Sequence, residues 1–155
     1  MKRSFAFLVA CICGLSACAP THSELREIAD VPLKSTSVPD WESGLLRANA
    51  TYHLYGAMTG KERVALLGDY YYVTWYDASP EQKTRLVFQY QQAATGSQVK
   101  ELVIDFAPGR ERGERHECFR FTGKERAKLG DILAWRLLLE VNGKVVDSEQ
   151  SYLWE

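Results

Sequence analysis

The chain is poor in the features that most often announce a function. It has no apolar run of the roughly 17–25 residues that a membrane-spanning helix needs, and its main apolar run, Phe5 to Leu15, is too short. It has four cysteines, three of them within the first eighteen residues, so only Cys118 is left to the body of the chain. That excludes an intrachain disulfide framework there. It has no charge excess: 19 Lys and Arg stand against 20 Asp and Glu. Neither nucleic acid nor an acidic polymer is expected as a partner. It has no Gly-rich phosphate loop, no Gly-x-Ser-x-Gly elbow and no His-Glu-x-x-His helix. The three histidines, His22, His53 and His116, are far apart and give no zinc spacing. No cofactor, no metal and no catalytic constellation is expected.

The first eighteen residues do carry a pattern. Lys2 and Arg3 form a basic start, Phe5 to Leu15 an apolar middle, and Ser16-Ala17 a small-residue cut site, which together read as a secretory signal. The cut site is followed at once by cysteine. Leu15-Ser16-Ala17-Cys18 resembles the lipobox of bacterial lipoprotein signal peptides. The resemblance implies removal of residues 1–17 and attachment of a diacylglycerol to the Cys18 sulfur, with acylation of the freed amine. At about 0.8 kcal/mol per buried methylene, two or three chains anchor stably where one does not. In a diderm host, Ala19 in place of aspartate points to the outer membrane, facing the periplasm or the cell surface. Loss of Lys2 and Arg3 takes the formal charge from −1 to about −3.

Removal of the signal leaves about 138 residues, the size of one ordinary domain. Residues 18–40 hold Pro20, Pro32 and Pro39 among small polar residues, and read as a lipidated N-terminus followed by an extended tether. An added strand packed on the domain is the alternative for this stretch. From Trp41 onward, residues 41–155 read as one domain of short alternating runs separated by turns.

The runs expected as strands are Thr51–Met58, Arg63–Leu67, Tyr70–Tyr76, Thr84–Gln91, Val99–Phe106 and His116–Thr122, then a final hairpin. Leu86, Phe88 and Tyr90 are expected inside, as are Leu102, Ile104 and Phe106. In the hairpin, Ile132–Val141 and Lys144–Trp154 flank Asn142-Gly143, the favoured pair for a two-residue type I′ turn. Pairing outward from it predicts Leu139 opposite Val146 and Arg136 opposite Glu149, with Leu133, Trp135, Leu137 and Leu139 on one apolar face. Seven or so strands in about 110 residues resemble an immunoglobulin-like or fibronectin-III-like antiparallel sandwich, so the expected class is all-β. The Cys…Trp…Cys spacing of true immunoglobulin domains is absent. The final hairpin is similar to that of small bacterial lipoproteins, and implies no activity.

One surface stands out. Between Tyr70 and Tyr76, Tyr71, Val73 and Trp75 share one face, and Tyr70, Tyr72, Thr74 and Tyr76 share the other. If the second face meets solvent, its rings offer a platform for a protein partner, or alternatively for a glycan such as peptidoglycan. Three other groups of residues invite weaker readings. The arginines Arg110, Arg112 and Arg115 alternate with glutamates and read as a solvated loop. Asp69, Asp77 and Asp105 read as isolated carboxylates. His116 and Cys118 lie about 7 Å apart on one strand face, too far for a nucleophile and its base, and Cys118 reads as a core residue. The chain is thus expected to be a lipid-anchored, non-catalytic binding or structural module. In cells treated with globomycin, the unprocessed precursor should accumulate; normal maturation in the presence of the drug would rule out the lipobox reading.

Overall fold

The computed structural model describes residues 20–37 and 43–154. The expected signal segment, Cys18 and the domain start at Trp41 lie outside those residues. The described elements run β1 (Glu24–Leu33), α1 (Gly44–Leu54), α2 (Gly60–Ala65), β2 (Gly68–Asp77), β3 (Thr84–Gln92), β4 (Lys100–Phe106), β5 (Gly113–Thr122), α3 (Gly123–Leu129), β6 (Ile132–Val141) and β7 (Lys144–Gln150). They form two antiparallel sheets, one ordered β1-β2-β5 and the other β4-β3-β6-β7. The fold is an all-β, immunoglobulin-like sandwich.

The core follows from period-two alternation. Tyr71, Val73 and Trp75 of β2 and Phe119 and Phe121 of β5 face Leu86, Phe88 and Tyr90 of β3 and Leu137 and Leu139 of β6, all of them buried. Phe88 is the hub. Its ring lies 4.8 Å from Tyr71, 5.0 Å from Phe119, 5.4 Å from Phe121 and 5.8 Å from Trp135. These separations lie within the range in which aromatic pairs add to plain area burial. At the start of β2, only glycine fits. A Cβ on Gly68 would stand 1.9 Å from the Phe121 carbonyl oxygen, and its φ is +157°.

Four sequence expectations are corrected. The stretch read as a tether contains β1, which pairs with β2 from Glu24↔Tyr76 to Leu33↔Gly68. Leu25 and Ile28 pack against the core, and Leu33 is buried. Pro32 is tolerated because β1 is an edge strand, where a missing N–H costs little. The domain therefore begins before Glu24, not at Trp41. Second, Thr51–Met58 and Arg63–Leu67 are not strands; α1 extends through Leu54 and α2 through Ala65, and the rest of both runs is turn or irregular. Ser43 caps α1 by accepting from Leu46 N at 3.3 Å. Thr59 and Glu62 form a reciprocal capping box that starts α2.

Third, the final hairpin keeps its Asn142-Gly143 turn but not its outer register. After Val141↔Lys144 and Glu140↔Val145 a bulge intervenes, and Leu139 lies opposite Asp147. The extra residue turns the Asp147 carboxylate to the neighbouring sheet, where its Oδ2 accepts from Leu25 N at 2.7 Å. That bond ties edge strand β7 to edge strand β1. Arg136 consequently pairs with Gln150 in register, donates to Gln89 and lies over the Trp154 ring, without the expected Glu149 partner. Leu133 sits at a second bulge and is exposed, while Ile132 packs inward in its place.

Fourth, the aspartates are not isolated. Asp77, at the end of β2, is completely buried. Arg110 Nε donates to its Oδ2 at 2.9 Å, and Arg110 Nη2 donates to Thr84 Oγ1 at 2.9 Å. Arg115 Nε lies 3.4 Å from the same carboxylate. The loop read as solvated is therefore clamped by its first arginine, and Arg115 already belongs to β5. At the other end of β2, buried Asp69 accepts from Arg126 Nε of α3 at 2.5 Å, and Arg126 also binds Asp131. Asp105 pairs with Lys83 and Arg85 on the surface.

Removing one partner of a buried ion pair strands the other, at a cost of about 3–5 kcal/mol. Asp77→Ala and Arg110→Ala should each lower the unfolding free energy by about that amount in urea titrations. The double variant should lie well short of the sum, by at least ~1.5 kcal/mol of coupling. Additive losses would mean that the pair is not the clamp described.

Candidate functional site

The outer face of the three-stranded sheet collects most of the candidate residues. Register places them in rows across β1, β2 and β5: Val31, Tyr70 and Arg120; Ala29, Tyr72 and Cys118; Glu27, Thr74 and His116; Glu24, Tyr76 and Glu114. Tyr70, Tyr72, Thr74 and Tyr76 do share this face, as the alternation requires. They do not form an open row.

The chain between β1 and β2 folds back over half of the face. Leu33, Ala50 of α1 and Tyr70 make a second, smaller core, with Leu54, Leu67, Tyr72 and Cys118 against it. Tyr70 is 1% exposed; its hydroxyl donates to the Leu66 carbonyl at 2.6 Å. The His53 ring of α1 stacks on Tyr70 at 3.7 Å between centroids, and His53 Nε2 lies 2.5 Å from the Tyr72 hydroxyl. Burial, then the nearby Arg120 charge, lowers the His53 pKa, and burial raises those of Tyr70 and Tyr72. At neutral pH the phenol therefore keeps its proton and the imidazole is neutral, and the two share one hydrogen bond. Together they fasten α1 to the sheet.

The other half of the face is polar and uncovered. Thr74 Oγ1 and His116 Nδ1 are 3.1 Å apart. Two guanidiniums lie over the Tyr76 ring, Arg26 at 4.8 Å and Arg112 at 6.0 Å from its centroid. His116 and Cys118 occupy different rows, and each is engaged with β2, not with the other. Burial pushes the Cys118 thiol up, so at neutral pH it stays protonated and a poor nucleophile. Among the described residues, no group of three or more His, Cys, Asp or Glu is placed to hold a metal ion.

Comparison with protein-family models, with curated proteins and with solved structures finds no match. The geometry of the chain itself therefore carries the reading.

The helices that cover Tyr70 and Tyr72 expose apolar surface of their own. Leu45 and Tyr52, seven residues apart and so on one side of α1, are 84% and 71% exposed. Tyr55 and Met58 follow at 88% each, and Val64 of α2 at 59%. Beside them lies a groove of about 450 Å³ lined by Arg47, Leu54, Tyr55, Met58 and Arg63, among others. None of this was visible from the alternating pattern. The one local signal for it was Thr59-x-x-Glu62, a capping box that starts a helix.

The lowered His53 pKa has a consequence for stability. The unfolded chain, with an ordinary histidine near 6.5, binds the proton more readily than the folded one. Stability is full above about pH 6.5 and should fall as the pH drops through the folded value. In urea titrations between about pH 7 and pH 5, His53→Asn should flatten part of the wild-type decline. An unchanged slope would mean that His53 titrates alike in both states.

Proposed function

We propose that this chain is a bacterial lipoprotein, anchored through acylated Cys18 in the outer membrane, which presents its sandwich as a non-catalytic binding module for a protein partner. The single observation that carries the binding role is the exposed apolar set on the helical insertion: Leu45, Tyr52, Tyr55, Met58 and Val64. Aromatic side chains and methionine are enriched in protein interfaces, and flexible Met-rich surfaces adapt to a partner. The groove beside Tyr55 and Met58 gives such a partner a concave seat flanked by Arg47 and Arg63. The lipobox supports the anchor.

The glycan reading has less support. It asked for a solvent-facing row of rings, and two of its three tyrosines lie beneath or against α1. Only Tyr76, already engaged by Arg26 and Arg112, is left on the open half.

A photoreactive group at Tyr55 in intact cells should give one discrete protein adduct. The same group at exposed Gly96 should give none. Tyr52→Ser with Met58→Ser should reduce the Tyr55 adduct about tenfold, equivalent to ~1.4 kcal/mol of binding. A Tyr55 adduct that is absent, or that survives both substitutions unchanged, would refute the helical surface as the binding site.

A further inference from the structure

The anchor and the fold together fix which end of the domain meets the lipid. Resting on the lipoprotein reading above, we propose that the loop pole of the sandwich, residues 78–83, 107–112 and 142–144, lies on the phospholipid headgroups, with Arg112 at the level of the phosphates and the helical pole directed away.

Cys18 is two residues from Pro20, a span of at most about 7 Å. Pro20 is joined to the domain by Arg112, whose Nη2 donates to its carbonyl oxygen. Ser23 is buried and its Oγ accepts from Ala78 N at 3.0 Å; Leu25 N is held by Asp147. The chain thus meets the domain at Pro20 and is held to it from Ser23 onward. A headgroup layer is about 5–8 Å deep on each side of the hydrocarbon. With the acyl chains in the hydrocarbon, two residues reach from the inner boundary of that layer to Pro20, which would bring Pro20 and the guanidinium on it within or just above it.

Topology supplies the rest. Antiparallel register places the Glu24 end of β1 beside Tyr76 and Glu114, and the ends of β3, β4 and β6 meet at Thr84, Phe106 and Val141. The β2–β3, β4–β5 and β6–β7 connections therefore share the pole from which the anchor leaves. At that pole the Gly109 and Arg110 amides donate to the Pro80 carbonyl and the Asn142 amide to that of Lys83. At the opposite pole, Gly123 N donates to Leu67 O and Ala94 N to Leu129 O, which gathers α2, α3 and the β3–β4 turn. Of the four cations at the loop pole, Arg110 is paired with Asp77 and Lys83 with Asp105, which leaves exposed Arg112 and Lys144 against Glu81 and Glu111. The pole has no cationic excess, so the short stem sets the orientation, and high salt should not abolish it.

The test uses the acylated full chain in vesicles of phosphatidylethanolamine and phosphatidylglycerol containing a headgroup-spin-labelled lipid. In a Cys118→Ser background, a fluorophore is placed at Glu111→Cys or at Ser97→Cys, one at each pole. Intact mass first establishes acylation; an unacylated chain would overturn the anchor reading and this inference with it. With acylation established, quenching at position 111 should exceed that at 97 at least threefold, in low and high salt alike. A flexible spacer of about fifteen residues inserted after Ala19 should erase the difference. Equal or reversed quenching in the acylated chain would overturn the orientation and leave the anchor standing. A difference that survives the spacer would overturn the role given to the stem.

Discussion

Two buried carboxylates at the ends of one strand hold the sandwich together. β2 begins at Gly68-Asp69 and ends at Asp77, and each aspartate is closed by an arginine from a connection that crosses between the sheets. Arg110 lies on the β4–β5 crossing and Arg126 on the β5–β6 crossing. Apolar packing brings two sheets face to face, but it is indifferent to where the crossings run. A buried charge is not: it demands a partner within hydrogen-bonding distance and so fixes both connections. Arg110 extends the constraint to the second sheet through Thr84 and to the main chain through Gln82 and Ala107.

Much of the fold was legible because it depends on local alternation. The inward faces of β2 and β3, and the Asn142-Gly143 turn, follow from residues within a few positions of one another. The failures share a different cause. The hairpin register shifted because Asp147 answers Leu25, a residue more than a hundred positions away. The stretch 18–40 reads as a tether because its three prolines, one of them Pro32 within β1, and its small residues speak against a strand, while the support for β1 comes from Trp75 and Val73 across a long insertion. The run from Thr51 to Leu54 alternates and is helical too; what decides is that Ala50 and His53 find Leu33 and Tyr70 to pack on. Asp77 and Arg110 bear no sequence sign of their pairing. The candidate tyrosines were correctly assigned to one face, and the cover over two of them came from the stretch misread as strands.

The insertion between β1 and β2 changes what the sheet can offer. Without it, the outer face would be a continuous strip from Leu33 to Tyr76. With it, one half becomes a small second core and the other stays polar, while the apolar surface moves out onto the helices themselves. On the proposed reading the sandwich is a pedestal. Its β2–β3, β4–β5 and β6–β7 loops lie at the pole where β1 begins, and, apart from Tyr152, its most exposed large apolar side chains lie on the helical insertion.

The proposed anchoring would give β1 a mechanical duty. A pull on a partner at the helical pole, resisted by lipid at the other, would run along the strand axis. β1 would be the first element to receive it. Its register with β2 extends from Glu24↔Tyr76 to Leu33↔Gly68, so the load would be shared across the whole ladder at once instead of opening one bond at a time. Asp147 holds the strand from its other flank at Leu25. A stem built as an edge strand under shear resists extraction in a way that a free tether of the same composition would not.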